Sequence, residues 1–207
     1  MKNKVLALLI AALMLFSMAG CGSKPVNSAK GEASGSETDG LEYDKIIVGL
    51  DDTFAPMGFR DKNGDLTGFD IDLANSVSEI LGIPFEFQPI DWSVKETELN
   101  NKNIDLIWNA YTMTPERKEK VLFTEPYLEN SQIVLVMAGS DISSLADLAG
   151  KTVAAQAESS AVDAINSKPE VRDTFKELVT FDTHNECLLD LEAGRTDAVV
   201  GDEVLID

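Results

Sequence analysis

An arginine occupies a helix position that ordinarily favours acidic side chains. In the stretch WNAYTMTPERKEK, residues 108–120, Thr114 and Pro115 predict the N-cap and the first residue of a helix. Arg117 then falls in the first turn, where the positive end of the helix dipole disfavours a cation. The arginine is either a solvated surface residue or part of an anion site that it shares with the exposed amides of the helix start.

Polar and aromatic side chains follow the ends of the predicted strands. In open α/β sheets, ligands bind beyond the carboxyl ends of the strands, so these side chains are candidates for one binding cleft. They suit a small zwitterion, because Arg117 can pair with its carboxylate and Asp202 with its ammonium. The residues in question are Asp51, Asp52, Phe54, Asp91, Trp92, Thr112 and Arg117 in a first group and Glu158, Ser159, Ser160 and Asp202 in a second.

The elements that must position these residues alternate between short apolar runs and helical patterns. This βαβ rhythm predicts parallel sheets covered by helices. The first long helix is expected to have Asp70 as its N-cap and to end at Gly82, and KNGD at 62–65 indicates a tight turn between strands. The predicted strands are 45–50, 84–90, 104–109, 131–138, 151–156 and 196–202, and the predicted helices are 70–82, 94–103, 143–150, 159–168 and 185–194.

The elements form two sets that echo each other. LNNKNIDLI (99–107) and LEAGRTDAV (191–199) each have Leu, then Asp six residues later, then an apolar strand. Two similar α/β lobes would produce this echo, and they would face each other across a cleft lined by both sets of strand ends.

The composition is that of a soluble globular protein behind a secretion signal. Hydrophobic residues make up 44% of the 207 and charged residues 26%, and the net charge of −19 argues against a nucleic-acid partner. MKNK followed by VLALLIAALMLF predicts a signal peptide over 1–20. SMAGC resembles a lipobox with Cys21 as the lipidated residue, and 21–40 has the composition of a flexible linker. The alternative is an ordinary signal peptide with a chance cysteine.

The remaining cysteine and the single histidine predict neither a disulfide nor a metal site. If Cys21 carries lipid, Cys187 has no partner for an internal disulfide. His184 lies in FDTHNEC, just before a helical pattern, and is interpreted as a surface turn residue. No second histidine or cysteine cluster accompanies it, so we expect no bound metal.

Four motifs in order resemble one family. They are GFDIDLA (68–74), TMTPER (112–117), SSLADLAGKTVAAQAESSA (143–161) and GRTDAVVGDE (194–203). Together they are similar to the extracellular solute-binding proteins of polar amino-acid ABC importers, which include histidine- and glutamine-binding proteins. The resemblance runs from about Lys45 to the end of the chain. It implies a fold with two α/β lobes that closes on one ligand.

The resemblance also implies which residues hold the ligand backbone. Arg117 matches the carboxylate clamp, and Ser159–Ser160 match the helix-start groups that also hold the carboxylate. Ala110 and Thr112 match the main-chain and hydroxyl contacts to the α-amino group. Asp202 matches the partner of the α-ammonium. An anion held in this way would explain why an arginine is tolerated in a first helical turn.

A second set of matched positions faces the ligand side chain. Phe54 and Trp92 match two aromatic contacts, and Asp51 matches a residue that can reach the end of the side chain. Gln156 matches a further side-chain contact. Asn109, in WNAY, replaces a small residue and is expected to narrow the pocket.

Three features depart from the family pattern. Glu158 stands where glycine is usual, beside the anion site, so its carboxylate would oppose that of the ligand unless it points away. Tyr111 joins Asn109 in replacing small residues. Family members also continue beyond GDEVLID with another crossing to the first lobe and a terminal helix, so we expect this chain to lack them.

The sequence therefore predicts a two-lobed, type II periplasmic-binding-protein-like α/β fold. Each lobe is expected to be a mostly parallel sheet flanked by helices, with lobe 1 at 41–134, an incomplete lobe 2 at 135–207 and the ligand in the cleft. The predicted function is the substrate-binding component of an ABC importer, which delivers a polar amino acid or a cystine-like derivative to its permease and ATPase. We expect a lipid-anchored monomer, without cofactor or catalytic residues, on the outer face of a Gram-positive membrane or the periplasmic side of a membrane.

Two alternatives remain at this point. A sensory module could bind the same amino acid and pass its bound state to a receptor. An enzyme resembling cyclohexadienyl dehydratase could use the same fold, but it would need a general acid or base in the cleft. The candidates for that role are Glu158 and Asp51, and no histidine is placed by the sequence to assist them.

Overall fold

A computed structural model of the chain describes residues 43–205. The predicted signal peptide, the lipidation site Cys21 and the predicted linker at 21–40 lie outside the described residues. Among the helices in this part of the chain, none is both long and apolar enough to span a membrane.

Strands and helices alternate along the described residues. The strands are β1 (Ile46–Leu50), β2 (Thr53–Phe54), β3 (Gly58–Arg60), β4 (Leu66–Thr67), β5 (Phe85–Pro89), β6 (Leu106–Ile107), β7 (Gln132–Leu135), β8 (Thr152–Gln156), β9 (Glu177–Phe181) and β10 (Ala198–Asp202). The α-helices are α1 (Phe69–Leu81), α2 (Lys95–Asn100), α3 (Pro115–Lys120), α4 (Ser160–Asn166), α5 (Pro169–Arg172) and α6 (His184–Glu192), with 3₁₀ turns at Trp92–Val94, Leu145–Leu148 and Glu203–Leu205.

The strands form two main sheets and a small one. The first sheet has the order β5–β1–β6 with all strands parallel, and Val48 at its centre lies opposite Phe87 and Leu106. The second has the order β7–β10–β8–β9 and is parallel except for β7. The small antiparallel sheet β2–β3–β4 lies between β1 and α1 in the chain, with the predicted turn at 62–65 joining its last two strands.

Helices cover both faces of the second sheet. Alternate residues of a strand point to opposite faces, and Val153 packs with Ala161 and Ile165 of α4, whereas Ala154 packs with Cys187 of α6. Every residue of β8 and β10 is buried. The first sheet differs, because β5 and β6 are partly exposed. The more fully buried sheet is therefore the one whose strands end at Gln156 and Asp202.

Most of the predicted elements form, with shorter bounds. The strand predicted at 104–109 is reduced to β6. The helix predicted at 143–150 is a 3₁₀ turn whose N-terminus is capped by a Ser144–Asp147 capping box. The short elements α5 and β9 were not predicted. The predicted boundary between 134 and 135 falls inside β7, which pairs with β10 in the second sheet.

The predicted N-cap of α1 is wrong. The helix begins at Phe69 after Gly68, whose φ of 130° and 2.3 Å approach of a hypothetical Cβ to the Met57 carbonyl oxygen require glycine. The amides of Phe69 and Asp70 donate to the carbonyls of Pro56 and Met57. These two carbonyls, in the turn between β2 and β3, accept the hydrogen bonds that an N-cap side chain would otherwise accept. The Asp70 carboxylate is therefore free to bind other groups.

Candidate functional site

Every residue predicted to bind the ligand lines a single cavity. His184 lines it as well, and the cavity volume of about 10 Å³ is room for one water molecule. Its first wall consists of Asp51, Phe54, Trp92, Asn109, Ala110, Thr112 and Arg117, and its second wall of Gln156, Ser159, Ser160, His184 and Asp202.

Asp51, directly after β1, joins the two walls. Its main-chain amide donates to the side-chain oxygen of Asn109 at 3.0 Å. One carboxylate oxygen accepts from the amide and hydroxyl of Thr53, and the other accepts from Nε2 of Gln156 at 2.7 Å. Asn109 thus fixes the first wall, whereas Gln156 makes a direct buried contact across the cavity.

Ala110 is held in an unusual conformation by a buried carboxylate. Its φ of 46° lies in the left-handed region that non-glycine residues rarely adopt. Its amide donates to Oδ2 of Asp70 at 2.7 Å, and the hydroxyl of Tyr127 donates to Oδ1 at 2.7 Å. Burial raises the pKa of Asp70 above its usual value, although both hydrogen bonds favour the ionised form. Asp70 therefore shapes the main chain of the first wall.

Arg117 lies in the first turn of α3, as predicted. Thr114 is the N-cap, and its hydroxyl accepts from the Arg117 amide at 3.1 Å. The side chain is only 5% exposed, with its guanidinium 4.7 Å from the centroid of the Tyr111 ring. Nη1 donates to the carbonyl of Thr112 at 3.1 Å and Nη2 to the carbonyl of Glu158 at 3.2 Å. The interpretation of Arg117 as a solvated surface residue is therefore excluded.

Trp92 is buried in the first wall. It begins a 3₁₀ turn that Asp91 caps by accepting from the Ser93 amide at 2.8 Å. The indole meets the Tyr111 ring edge-on, with the ring centroids 5.6 Å apart. Tyr111, which replaces a small residue of the family pattern, is thus packed between Trp92 and Arg117.

Asp202, at the end of β10, is surrounded by hydrogen-bond donors. Its Oδ1 accepts from the side-chain amides of Asn130 and Gln132. The Gln132 amide also donates to the Ser160 hydroxyl at 3.0 Å, and that hydroxyl lies 3.4 Å from the hydroxyl of Thr112. Since Oδ1 is occupied by these amides, Oδ2 is the oxygen through which Asp202 can meet a cationic group.

The surface position predicted for His184 is wrong. The residue is 3% exposed and begins α6 behind a Thr183–Glu186 capping box. Its ring stacks on Phe54 with centroids 4.8 Å apart, and Nε2 lies 3.8 Å from Oδ2 of Asp202, too far for a hydrogen bond. Burial lowers the pKa of His184, against the opposing charges of Asp202 and Asp51. His184 follows the end of β9, and because that strand was not predicted, the same strand-end signal could not identify it.

Glu158 turns its carboxylate away from the cavity and its carbonyl towards the first wall. Its φ is 54°, a conformation that favours glycine, and its side chain is exposed. The carbonyl accepts from Arg117 and from Nζ of Lys95. Ser159 follows, and its hydroxyl donates to the Gln156 carbonyl at 2.7 Å. Lys95 is a second residue that sequence reasoning missed, since its place in the helix predicted at 94–103 gave no signal.

No group of three or more His, Cys, Asp or Glu side chains within residues 43–205 is placed to hold a metal ion. The arrangement instead offers an arginine on one wall and a carboxylate on the other, both buried, with two aromatic rings beside them. Such a set has the charges and apolar faces that a small zwitterion with a side chain would need.

Comparison with known proteins gives consistent results. Residues 46–181 match the model of a family described as bacterial extracellular solute-binding proteins, family 3. A probable amino-acid ABC transporter-binding protein of Haemophilus influenzae is 31% identical, covering 84% of this chain and 66% of that protein. The chain therefore spans about two thirds of the length of this relative.

Solved structures also resemble the chain, and each match covers about the same share of it. A histidine-bound ABC uptake transporter substrate-binding protein of Streptococcus pneumoniae is 44% identical with a TM-score of 0.76, over 78% of this chain and 67% of that one. An ancestral amino acid-binding protein described as a precursor of cyclohexadienyl dehydratase is 34% identical with a TM-score of 0.73, over 78% and 71%. These neighbours confirm the predicted α/β fold of the periplasmic-binding-protein type.

Proposed function

Because the chain belongs to the bacterial extracellular solute-binding proteins of family 3, we propose that it binds a polar amino acid outside the cytoplasmic membrane and delivers it to an ABC permease and its ATPase. The observation that carries this proposal is that Arg117 and Asp202, which have opposite charges, lie on opposite walls of one cavity. An α-carboxylate would be clamped by Arg117 with the Ser159–Ser160 helix start. The α-ammonium would be held by Asp202 Oδ2, with Ala110 and Thr112 as its further contacts.

The ligand side chain would lie among the remaining lining residues. Phe54 and Trp92 supply apolar faces, and Asp51, Asn109 and Gln156 supply polar contacts. A cavity of about 10 Å³ is too small for an amino acid, so the two walls must separate to admit one. The hydrogen bond from Gln156 to Asp51 is one of the cross-wall contacts that would give way. We infer that the walls belong to two lobes that divide at the start of β7 rather than between residues 134 and 135, because the whole of β7 pairs with β10 in the second sheet.

A binding role is supported by how the two candidate general acids or bases are used. Both carboxylate oxygens of Asp51 accept hydrogen bonds, and the side chain of Glu158 is exposed rather than turned into the cavity. Neither carboxylate is poised to move a proton on a ligand, and the ring of His184 stacks on Phe54 without a hydrogen bond to Asp202 that would orient it as a base. We therefore propose that the chain performs no catalysis. We also propose that it acts as a monomer.

We further propose that residues 1–20 are a signal peptide and that Cys21 carries a palmitate-containing lipid anchor. The chain would then lie on the outer face of a Gram-positive cytoplasmic membrane, or on the periplasmic side of a membrane. Metabolic labelling with a palmitate analogue tests this, because Cys21→Ser should abolish incorporation and release the protein from the membrane. Unchanged labelling of that variant would contradict the anchor.

Two measurements test the zwitterion site: a thermal-shift screen finds a ligand, and calorimetric titration then measures its affinity for variants. A thermal-shift screen with L-histidine, L-arginine, L-glutamine and L-cystine identifies a ligand, since specific binding stabilises the folded chain by mass action. Arg117→Met and Asp202→Asn should each weaken that ligand about tenfold to a hundredfold, because each leaves one charge of the zwitterion unpaired. The matched controls Lys118→Met and Glu203→Gln change exposed neighbours and should bind like the wild type. Wild-type affinity in either test variant would refute the site.

A further inference from the structure

Lys95 is the most deeply buried cation of the described residues. It is the first residue of α2 and is only 1% exposed. A lysine in such a place is costly unless its charge is paired and hydrogen-bonded. Burial lowers the pKa of Lys95, and the neighbouring charge of Arg117 adds to this, against the opposing charge of Glu96. The chain therefore accepts an energetic cost to keep an amine at this position.

The amine is held from several directions. Nζ donates to the carbonyl of Trp92 at 3.1 Å and lies 3.5 Å from Oε2 of Glu96. It also lies 5.1 Å from the centroid of the Trp92 ring and 5.9 Å from that of Tyr111, within the range of cation–π attraction. Tyr111 in turn donates its hydroxyl to Glu96 at 2.6 Å. The partners in these contacts all lie within residues 92–111, in the part of the chain that carries the first wall.

The remaining hydrogen bond of Lys95 crosses to the other wall. Nζ donates to the carbonyl of Glu158 at 3.0 Å, and Arg117 donates to the same carbonyl at 3.2 Å. A carbonyl oxygen has two lone pairs and can accept both. The carbonyl can take this direction because Glu158 has a φ of 54°. Lys95, which supports the first wall, and Arg117, which belongs to it, thus both donate to one main-chain group that directly precedes Ser159 of the second wall.

That main-chain group lies directly before the start of α4. Ser159 is the N-cap residue of α4 and Ser160 is its first residue, and both are buried and line the cavity. A displacement of the Glu158 carbonyl would move both serines relative to Arg117. The contact therefore controls the one part of the second wall that is placed to share an anion with the first.

We propose that Lys95 is a positioning residue that ties the two walls together by holding the Glu158 carbonyl, and that it thereby sets the start of α4 over Arg117. The tie itself requires no ligand. Its consequence for ligand retention rests on the proposed function, because only a bound amino acid would be released faster when the tie is lost.

Hydrogen exchange of the chain without added amino acid tests the tie. Lys95→Met keeps the length and apolar stem of the side chain but removes the donor. Peptides covering 157–166 should exchange about tenfold faster in this variant, as expected for loss of a hydrogen bond to a charged group, whereas peptides covering β8 should not change. Lys118→Met, an exposed lysine of α3, is the matched control and should match the wild type throughout. Lys95→Gln, which retains polarity but is too short to reach Glu158, should reproduce Lys95→Met and serves if the latter does not fold.

Stopped-flow fluorescence then measures the consequence. With whichever of L-histidine, L-arginine, L-glutamine and L-cystine stabilises the wild type most, Lys95→Met should dissociate about tenfold faster at a nearly unchanged association rate. If none of the four binds the wild type, the proposed function fails for these ligands, and exchange still decides the role of Lys95. Wild-type exchange at 157–166, or equally faster exchange in β8, would overturn the proposal.

Discussion

Each wall of the cavity contains one non-glycine residue in the left-handed region, and the two are held in different ways. In the first wall, Ala110 is fixed by Asp70, and both residues precede the strands of the second sheet in the chain. In the second wall, Glu158 is fixed by Lys95 and Arg117, which reach across from the first wall. A non-glycine residue in this region costs about 1–2 kcal/mol and persists only where its surroundings impose it. The first wall is therefore shaped from within, whereas part of the second wall depends on its partner.

The walls also differ in the elements that carry them. The second wall places Gln156 and Asp202 at the last positions of β8 and β10, and Ser160 and His184 at the first positions of α4 and α6. The first wall places most of its residues in connecting segments after short strands. Hydrogen bonds between distant side chains and the main chain, such as the one from the Asp51 amide to Asn109, hold these segments. A substitution that removes such a bond should therefore disturb the first wall more than the second.

Removing the buried carboxylate of Asp70 should have the largest effect. Asp70→Asn leaves the Ala110 amide or the Tyr127 hydroxyl facing an amide donor, so one of these two part-buried groups loses its acceptor. We expect the free energy of unfolding to fall by about 2–3 kcal/mol. Urea unfolding measures this, with Asp72→Asn as the matched control, because Asp72 is exposed on the same helix turn.

The same variant tests whether the first wall is shaped from within. Ligand affinity should fall at least about tenfold because Ala110 and Thr112 lose their fixed positions. Exchange of amides in α4 should stay as in the wild type, since the grip on Glu158 does not pass through Asp70. Faster exchange in α4 would show that the two walls are coupled more closely than the contacts indicate.

The contrast between the walls also explains what could be predicted from the sequence. Strand ends and helix starts are visible as patterns, and they located Ser159, Ser160 and Asp202, whereas Gln156 was found only through the resemblance to the family. The left-handed Ala110 and its support by Asp70 were not visible, because residues 40 positions apart in the chain meet only in the fold. Asp70 was instead assigned as an N-cap, since its position beside the apolar pattern satisfied the local rule.

The positions of His184 and Lys95 could not be predicted from the sequence, for two separate physical reasons. His184 follows a strand whose sequence, ELVTF, is too short and too mixed to stand out beside its neighbours. Lys95 is buried by tertiary contacts that override the general tendency of lysine to lie at the surface. The strand-end positions already placed Arg117, Phe54 and Trp92 among the candidates for a zwitterion site, and the resemblance to the family gave each of them a separate role.

His184 should make the stability of the second wall depend on pH. Its pKa in the folded chain is lowered from the usual 6.5 by burial, so the unfolded chain binds the proton more strongly. Stability from the neutral imidazole is complete above pH 6.5 and is lost as the pH falls towards the folded pKa. The slope attributable to this group is at most about 1.4 kcal/mol per pH unit.

Urea unfolding between pH 7.5 and pH 5 measures this dependence. His184→Gln should have a flatter profile than the wild type over that range, and the difference between the two profiles isolates this residue because the chain has a single histidine. Parallel profiles would mean that the ring is as easily protonated in the folded chain as in the unfolded one. In that case the position of His184 between Phe54 and Asp202 would be wrong.

Glu158 should give the smallest effect and the sharpest distinction between backbone and charge. Glu158→Gly relieves the left-handed conformation, which costs about 1–2 kcal/mol for a residue with a Cβ, but it adds about 0.5–1 kcal/mol of conformational entropy to the unfolded chain. We expect a net gain in the free energy of unfolding of about 0.5–1 kcal/mol.

Glu158→Gln is the matched control, since it removes the charge and keeps the backbone preference, and it should match the wild type because the carboxylate is exposed. Ligand affinity should be unchanged in both variants if the carbonyl, rather than the carboxylate, is the functional group of this residue. A loss of stability in both would instead show that the carboxylate compensates the buried charge of Lys95, and the second wall would then depend on the first through a charge pair as well as through the shared carbonyl.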